Sequence, residues 1–161
     1  MFLFSFYTRG MSFIDMAYLK KSDLKNGIII YRRRKTGQQL TIKWEKCMED
    51  IIAKNDGCST TQYLLPIITN PCADERTQYR NAISRINVAL KEVARLAGLN
   101  MPLTMHCARH CWASIAKSKN IPLSVISEGM GHDSEETTRI YLASLDTNVV
   151  DKANSLILKD L

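Results

Sequence analysis

The chain has 161 residues, of which 45% are hydrophobic and 24% charged, a composition typical of one globular domain with a buried core. Its apolar runs are shorter than the ~20 residues that a membrane-spanning helix needs, so we expect no contact with a membrane. The formal net charge of +6 suits a polyanionic partner. Residues 1–50 carry 10 Lys and Arg against 5 Asp and Glu, so the positive charge is concentrated in the first third.

The five cysteines favour reduced thiols. Their number is odd and the sequence contains no Cys-x-x-Cys pair. The apolar start of the chain lacks the basic segment and the cleavage site of a secretory signal. Because disulfides are rare in reducing compartments, we expect a cytoplasmic protein.

A short helix is predicted near the start of the chain. Phe13, Met16 and Ala17 recur at helical spacing after a polar turn that contains Arg9. By itself, a lone arginine such as Arg9 is usually a surface residue.

A β-hairpin is predicted over residues 27–42. Two β-prone runs flank Thr36 and Gly37, which favour a tight turn. The first run ends in the basic residues 32–35, and strand alternation points successive side chains to opposite faces. Such a run could contact a phosphate backbone from both sides, or it could be a solvated basic strand that protects a sheet edge.

Two further helices follow the hairpin. The first is predicted within residues 42–55, and the second, over residues 74–96, has the strongest helical pattern in the chain. Gly98 is expected to end the second helix. We expect its apolar stripe to face the core; it comprises Tyr79, Ile83, Ile86, Leu90, Val93 and Ala97.

The segment from His106 to Tyr141 concentrates the residues suited to chemistry. His106 and Arg109 are three residues apart, so a helix places them on one face where both can bind one anion. His132 follows Gly131 in a short loop, and Tyr141 lies two turns into the helix that is predicted next.

This pattern resembles the catalytic domain of the tyrosine recombinases, the phage integrase-like enzymes that exchange DNA strands. His-x-x-Arg, then Gly-His about two dozen residues later, then a tyrosine nine residues past that histidine carry the resemblance. The resemblance runs from Arg9 to Tyr141, nearly the whole chain. It implies an α+β fold that is mainly α-helical, of the DNA breaking-rejoining type, with a small antiparallel β-sheet.

The resemblance also implies an active site. Tyr141 would attack a DNA phosphodiester and form a 3′-phosphotyrosyl bond, while paired arginines stabilise charge on the phosphoryl oxygens and Lys35 protonates the leaving oxygen. That bond preserves the energy of the broken linkage, so neither a cofactor nor a metal is needed. The catalytic residues would be Arg9, Lys35, His106, Arg109, His132 and Tyr141.

Residues around that site receive supporting roles. Asp15 would orient Arg9, although it lies six residues after Arg9 where the family pattern has three, which we attribute to an insertion. Arg32, Arg33 and Arg34 are candidates for contacts with the DNA backbone. We expect a structural role for His110.

The partners implied are double-stranded DNA and other recombinase protomers in a synaptic tetramer, in the nucleoid. The amphipathic C-terminal helix Asp146–Leu158 is the candidate for contacts between protomers. Family members also carry an N-terminal helical domain that closes around DNA. Residues 1–161 correspond to the catalytic domain alone, so we expect weak, salt-dependent DNA binding without that domain.

Three other interpretations stay open. A type IB topoisomerase uses closely similar residues but relaxes supercoils without exchanging strands. A DNA-binding module without catalysis would bind DNA and never form a covalent bond. His106 and His110, spaced like Cys107 and Cys111, could chelate zinc from one helix face, although the glutamate of a His-Glu-x-x-His motif is missing.

Overall fold

The computed structural model describes residues 1–54 and 61–143. These residues form a mainly helical α+β structure, which confirms the expected fold class. The elements are α1 (Phe2–Tyr7), α2 (Phe13–Ala17), β1 (Leu24–Lys25), β2 (Ile28–Arg32), β3 (Gln39–Lys43), α3 (Lys46–Ala53), α4 (Glu75–Leu96), α5 (Met105–Ser118), α6 (Leu123–Met130) and α7 (Glu135–Ala143), with a 3₁₀ turn at Lys21–Asp23. The predicted helix Asp146–Leu158 lies outside the described residues.

The predicted hairpin is present as the β2–β3 part of an antiparallel meander in the order β1-β2-β3. Ile28 pairs with Lys43 and Arg32 pairs with Gln39. The two strands alternate between buried and exposed residues, so one face of the sheet covers the core. Gly37 occupies the left-handed region at φ +74° in the connecting turn.

The core has two parts. The larger part contains side chains of α1, α2, the sheet and the segment 63–68, with α4 packed against its edge. The smaller part joins α5, α6 and α7; its buried members are Ala113, Ala116, Ile126, Met130 and Leu142. Helix α5 contributes to both, so residues on its N-terminal half lie where the two parts meet.

The long helix α4 confirms the strongest helical prediction, and its apolar stripe confirms only part of the core prediction. Asp74 caps the helix by accepting a hydrogen bond of 2.6 Å from the backbone N–H of Thr77. Tyr79 packs against Phe13 of α2. Val93, by contrast, is 50% exposed and lines an apolar groove with residues of α1 and α3.

Helix α6 was not among the predicted elements. It begins after Pro122 and ends at Gly131, whose backbone is left-handed at φ +65°. This short helix carries the turn that leads into His132. Among the helices of residues 1–54 and 61–143, none is long and apolar enough to cross a membrane.

Gly10 allows the turn after α1 to touch α5. A Cβ atom on Gly10 would lie 2.7 Å from Cγ and 2.8 Å from Cα of Arg109, and its φ is +76°. Since any side chain would collide with the helix backbone, this close approach requires glycine. It places the backbone carbonyl of the turn directly against the arginine of α5.

Gly10→Ala is therefore expected to lower the free energy of unfolding by about 2–4 kcal/mol, from steric overlap together with left-handed strain. Urea unfolding would measure this. Gly27→Ala is the matched control, since Gly27 has φ +72° with nothing within 4 Å of the added Cβ. That control should lose only about 1 kcal/mol. Equal losses in both variants would show that the contact with α5 is unimportant.

Candidate active site

The Arg109 side chain connects three parts of the fold. It is 6% exposed, on the inner face of α5. Its Nη1 donates to the Gly10 carbonyl oxygen at 2.9 Å, and its Nη2 donates to the Met130 carbonyl oxygen at 2.7 Å. The same Nη2 lies 3.0 Å from Nε2 of His132. A guanidinium held by so many partners is a fixed positive charge.

The contacts of His132 define its tautomer. A guanidinium can only donate, so Nε2 of His132 accepts from Arg109 and Nδ1 carries the proton. That Nδ1 lies 2.7 Å from Oγ1 of the fully buried Thr138, to which it donates. Burial and the nearby charge of Arg109 lower the pKa of His132 to about 4. His132 is consequently neutral at physiological pH.

Tyr141 packs among three imidazole rings. Its ring stacks on His110 at 5° between planes and 4.8 Å between centroids. It meets His132 at 5.7 Å and His106 at 6.3 Å in edge-on geometry. Burial raises the pKa of Tyr141 to about 12, against the lowering effect of the Arg109 charge. The phenol is therefore protonated at physiological pH.

His106 and Lys35 lie close to the same cluster. Burial lowers the pKa of His106, with smaller contributions from the charges of His110, Arg109 and Lys35. The Lys35 charge also lowers the pKa of His132. Lys35 itself is exposed at the hairpin. Because one ammonium acts on both imidazoles, the hairpin tip lies on the side of the molecule where Tyr141 packs.

Arg9 lies at the edge of this cluster. It follows α1 in a left-handed conformation at φ +60°. A Cβ atom on Gly129 would lie 3.7 Å from its Cδ. The charges of Arg9 and Arg109 both lower the pKa of Tyr31, so the two arginines share one side of the molecule. Within the described ranges, however, we find no hydrogen bond or ion pair of the Arg9 side chain, and its catalytic role stays a prediction.

Asp15 does not pair with Arg9, which corrects the expected orienting contact. Its buried carboxylate accepts from the Ser12 hydroxyl at 2.6 Å and from the backbone N–H of Arg34 at 2.8 Å. Its Oδ2 also lies 4.0 Å from Nε of Arg33. The physical reason is the turn at Gly10, which separates Arg9 from α2 and lets α2 present Asp15 to the hairpin.

The three hairpin arginines, all predicted to contact the DNA backbone, lie in different environments. Arg33 is 7% exposed, and its Nη1 donates to the Gly131 carbonyl. It points inward because it continues the buried alternation of β2. Arg32 and Arg34 are exposed. Arg34 stacks over the Tyr18 ring at 3.7 Å, a cation–π contact that supports its side chain.

The zinc alternative finds little support at His106 and His110. Their rings meet edge to face with centroids 4.4 Å apart. In the part of the chain that the structure describes, no group of three or more His, Cys, Asp or Glu side chains could hold a metal ion. Cys107 instead lies 3.3 Å from the backbone N–H of Thr104 at the start of α5.

The sequence profile of the phage integrase family matches residues 2–148, which span this whole cluster. The chain belongs to the phage integrase family. Comparison with curated proteins found no match. Membership in the family agrees with the resemblance drawn from His106, Arg109, His132 and Tyr141.

Solved structures of phage integrase-like recombinases share the fold. XerA recombinase matches with a TM-score of 0.64 at 21% identity, over 94% of this chain and 55% of its own. XerH recombinase bound to palindromic difH substrate matches with a TM-score of 0.67 at 18% identity, over 96% of this chain and 44% of its own. A lambda integrase dimer bound to a COC′ core site matches with a TM-score of 0.58 at 16% identity, over 87% of this chain and 50% of its own. The chain thus spans about half the length of these recombinases.

Sequence reasoning missed one member of this site, Thr138, and gave two others, Arg33 and His110, different roles. Thr138 holds the His132 ring, Arg33 lies buried beside the turn, and His110 supports the Tyr141 ring in addition to its expected structural role. The four-residue spacing of His106 and His110 indicated that both share a face of α5. Nothing in the sequence distinguishes Thr138 from the neighbouring Thr137.

The neutral His132 makes stability depend on pH. Its pKa in the folded protein, about 4, lies below the ordinary value of 6.5, so the unfolded chain takes up a proton first as pH falls. The stabilisation from a neutral His132 is complete above pH ~6.5 and is lost as the pH falls towards 4. We expect the free energy of unfolding to fall over this interval.

His132→Gln isolates this effect, because glutamine can accept from Arg109 and does not titrate. Urea unfolding at pH 7.5 and pH 5.0 should show a smaller loss of stability for this variant than for the wild type. Some loss should remain, since burial also lowers the pKa values of His106 and His110. Parallel losses in the two proteins would contradict a neutral His132.

Proposed function

We propose that this chain is the catalytic domain of a site-specific DNA recombinase that cleaves and rejoins DNA through a 3′-phosphotyrosyl intermediate. The observation that carries the proposal is the packing of the Tyr141 phenol against imidazoles beside the fixed guanidinium of Arg109. Integration or excision of a mobile element is the reaction proposed for the complete protein. Membership in the phage integrase family supports it.

The proposed chemistry is an in-line displacement at phosphorus. Tyr141 loses its phenolic proton to neutral His106, and the phenolate oxygen forms a bond to phosphorus. The bond from phosphorus to the 5′ oxygen breaks, and Lys35 protonates that oxygen. Arg109 still has N–H groups beyond those bonded to the carbonyls, and they stabilise the growing charge on the non-bridging oxygens. Reversal by a 5′ hydroxyl rejoins a strand and releases Tyr141.

His132 changes its hydrogen bonding in this scheme. In the free protein, Nε2 accepts from Arg109, so it has no proton to give to a phosphate. A phosphate anion favours a protonated ring, or the tautomer with hydrogen on Nε2. In the second case Thr138 turns from acceptor to donor at Nδ1, which a hydroxyl can do by rotation. His132 then donates to a phosphoryl oxygen.

Double-stranded DNA and further protomers are the proposed partners. The similar XerH and lambda integrase structures contain DNA, and the latter is a dimer. Exposed Arg32 and Arg34 on the hairpin provide cations for a DNA backbone. For the complete protein we propose a synaptic tetramer in the nucleoid, with segment 146–158 as the assembly element.

Tyr141→Phe tests the proposed nucleophile. The wild-type protein is incubated in EDTA with nicked duplexes of randomised central sequence, and covalent adducts are separated on denaturing gels. We expect an adduct from the wild type and none from Tyr141→Phe, because phenylalanine has no oxygen to attack phosphorus. Tyr63→Phe is the control and should keep the adduct, since the Tyr63 hydroxyl bonds to Glu75 at the start of α4.

Other outcomes of this experiment favour other functions. An adduct that survives in Tyr141→Phe removes Tyr141 from the mechanism. An adduct that forms without EDTA and is lost when EDTA is present would favour the zinc interpretation. Relaxation of supercoiled DNA without products of strand exchange would identify a type IB topoisomerase activity, and DNA binding without any adduct would identify a binding module.

Lys35→Ala tests the proposed general acid. Adduct formation should slow by about 10²–10⁴-fold on the ordinary substrate, the usual contribution of a positioned acid. A substrate with sulfur in place of the 5′ bridging oxygen should restore most of the rate, because a thiolate leaves without being protonated. Lys25→Ala, an exposed lysine on β1, is the matched control. Equal slowing on both substrates would contradict the role of Lys35.

A further inference from the structure

The site contains two nearly buried guanidinium groups, and the second belongs to Arg33. Arg33 is 7% exposed and Arg109 is 6% exposed, although arginine is almost never buried in proteins without partners. Arg33 reaches the site from the hairpin and Arg109 from α5. Two different elements thus bring one cation each to the same place.

The two groups are anchored to neighbouring carbonyls of one turn. Arg109 donates to the Met130 carbonyl, and Arg33 donates to the Gly131 carbonyl. The next residue is His132, which contacts Arg109 directly. A Cβ atom on Gly131 would lie 2.7 Å from Cδ of Arg33, so glycine is needed for this approach. The turn therefore aligns both arginines with His132.

Asp15 holds Arg33 from the opposite side. Its carboxylate is 4% exposed and lies 4.0 Å from Nε of Arg33. The Ser12 hydroxyl and the backbone N–H of Arg34 fix that carboxylate by donating to it. This is the acid that the sequence assigned to Arg9. In the described ranges it has no ion pair with Arg9, whose side chain lies instead near Gly129.

The buried charges around Arg33 and Arg109 leave a net positive charge, which a bound anion would neutralise. Arg33 and Arg109 together carry two positive charges, and Asp15 supplies one buried negative charge. Burial, followed by the Arg33 charge, lowers the pKa of Arg109 to about 10. Among the described residues, the Gly131 carbonyl is the one hydrogen-bond acceptor of the Arg33 guanidinium. Its remaining N–H groups have no hydrogen-bond acceptor among the described residues, and each can donate to a phosphoryl oxygen.

We propose that Arg33 is a phosphate-binding residue of the active site and supplies the second guanidinium beside Arg109, in place of Arg9. This assignment rests on the proposed function, because the phosphate it binds is the scissile one. Arg33 contacts a non-bridging oxygen, and Asp15 is a positioning residue that acts through Arg33. The inward register of β2 delivers Arg33 to the phosphate and leaves Lys35 beyond it for the leaving oxygen.

The test compares the rates at which Arg33→Gln and Arg9→Gln form the covalent adduct. The substrate is the DNA sequence recovered from the adducts that the wild type forms. Arg33→Gln should slow adduct formation by about 10²–10³-fold, the range for loss of one preorganised donor. Arg9→Gln should slow it far less. Arg85→Gln, which removes an exposed charge from α4, is the control for net charge and should match the wild type. Thermal melting of each variant monitors the fold.

A second substrate separates phosphate binding from a structural role. In a methylphosphonate, a neutral methyl group replaces one charged non-bridging oxygen at the scissile position, so the transition state needs one cation fewer. The deficit of Arg33→Gln relative to the wild type should shrink at least about tenfold on this substrate. A variant that is slow because the hairpin has moved stays equally slow on both. If Arg33→Gln does not fold, Arg33→Lys keeps a cation beside Asp15 and permits the same comparison.

Two results would overturn the assignment. One is a deficit of Arg33→Gln that is the same on both substrates. The other is a larger deficit in Arg9→Gln that the methylphosphonate relieves, which would return the role to Arg9. A wild-type protein that forms no adduct with the phosphodiester would overturn the proposed function itself, and the Arg33 assignment with it. If the wild type forms the adduct and only the Arg33→Gln prediction fails, the Arg33 assignment is overturned and the proposed function is not.

Discussion

The contacts of Arg109 are the constraint on which the rest of the site depends. Its guanidinium is bonded to the turn after α1 through Gly10 and to the end of α6 through Met130, and it contacts His132. The two parts of the core therefore meet at one cation. Gly10 makes this possible because a side chain there would overlap the α5 backbone. A charged group is costly to bury, and the hydrogen bonds that Arg109 donates to these two carbonyl oxygens offset the cost of its desolvation and fix its position.

The hairpin depends on the same turn. Arg33 donates to Gly131, the residue after the Met130 that accepts from Arg109. Lys35 lies two residues after Arg33 in the chain. The hydrogen bond that fixes Arg33 therefore also limits the positions that the Lys35 ammonium can reach. Asp15 supports this arrangement from α2 through Arg33 and the Arg34 backbone. The positions of Lys35, the proposed general acid, and Arg33, the proposed phosphate-binding residue, are thus coupled through the hairpin.

Features set by local pattern could be predicted from the sequence, and features set by tertiary contact could not. The hairpin, α4 and the spacing of His106 with Arg109 follow from alternation, helical periodicity and turn residues. The burial of Arg33 depends on a carbonyl 98 residues away. The six-residue gap between Arg9 and Asp15 was a sign that the expected pairing fails. Only the fold shows that Asp15 faces Arg33, because that contact joins α2 to a hairpin that follows it.

The electrostatic state of the free site keeps the Tyr141 phenol protonated. Burial raises the pKa of Tyr141 to about 12, and its ring lies flat on His110. His132 is neutral and already engaged with Arg109, so the imidazoles add no positive charge near the phenol. A phosphate would change each of these terms at once, because it offers acceptors to the guanidinium groups and raises the affinity of His132 for a proton. Under the proposed function, a DNA phosphate would bring the negative charge that the buried cations lack, and His132 would exchange its bond to Arg109 for one to the phosphate.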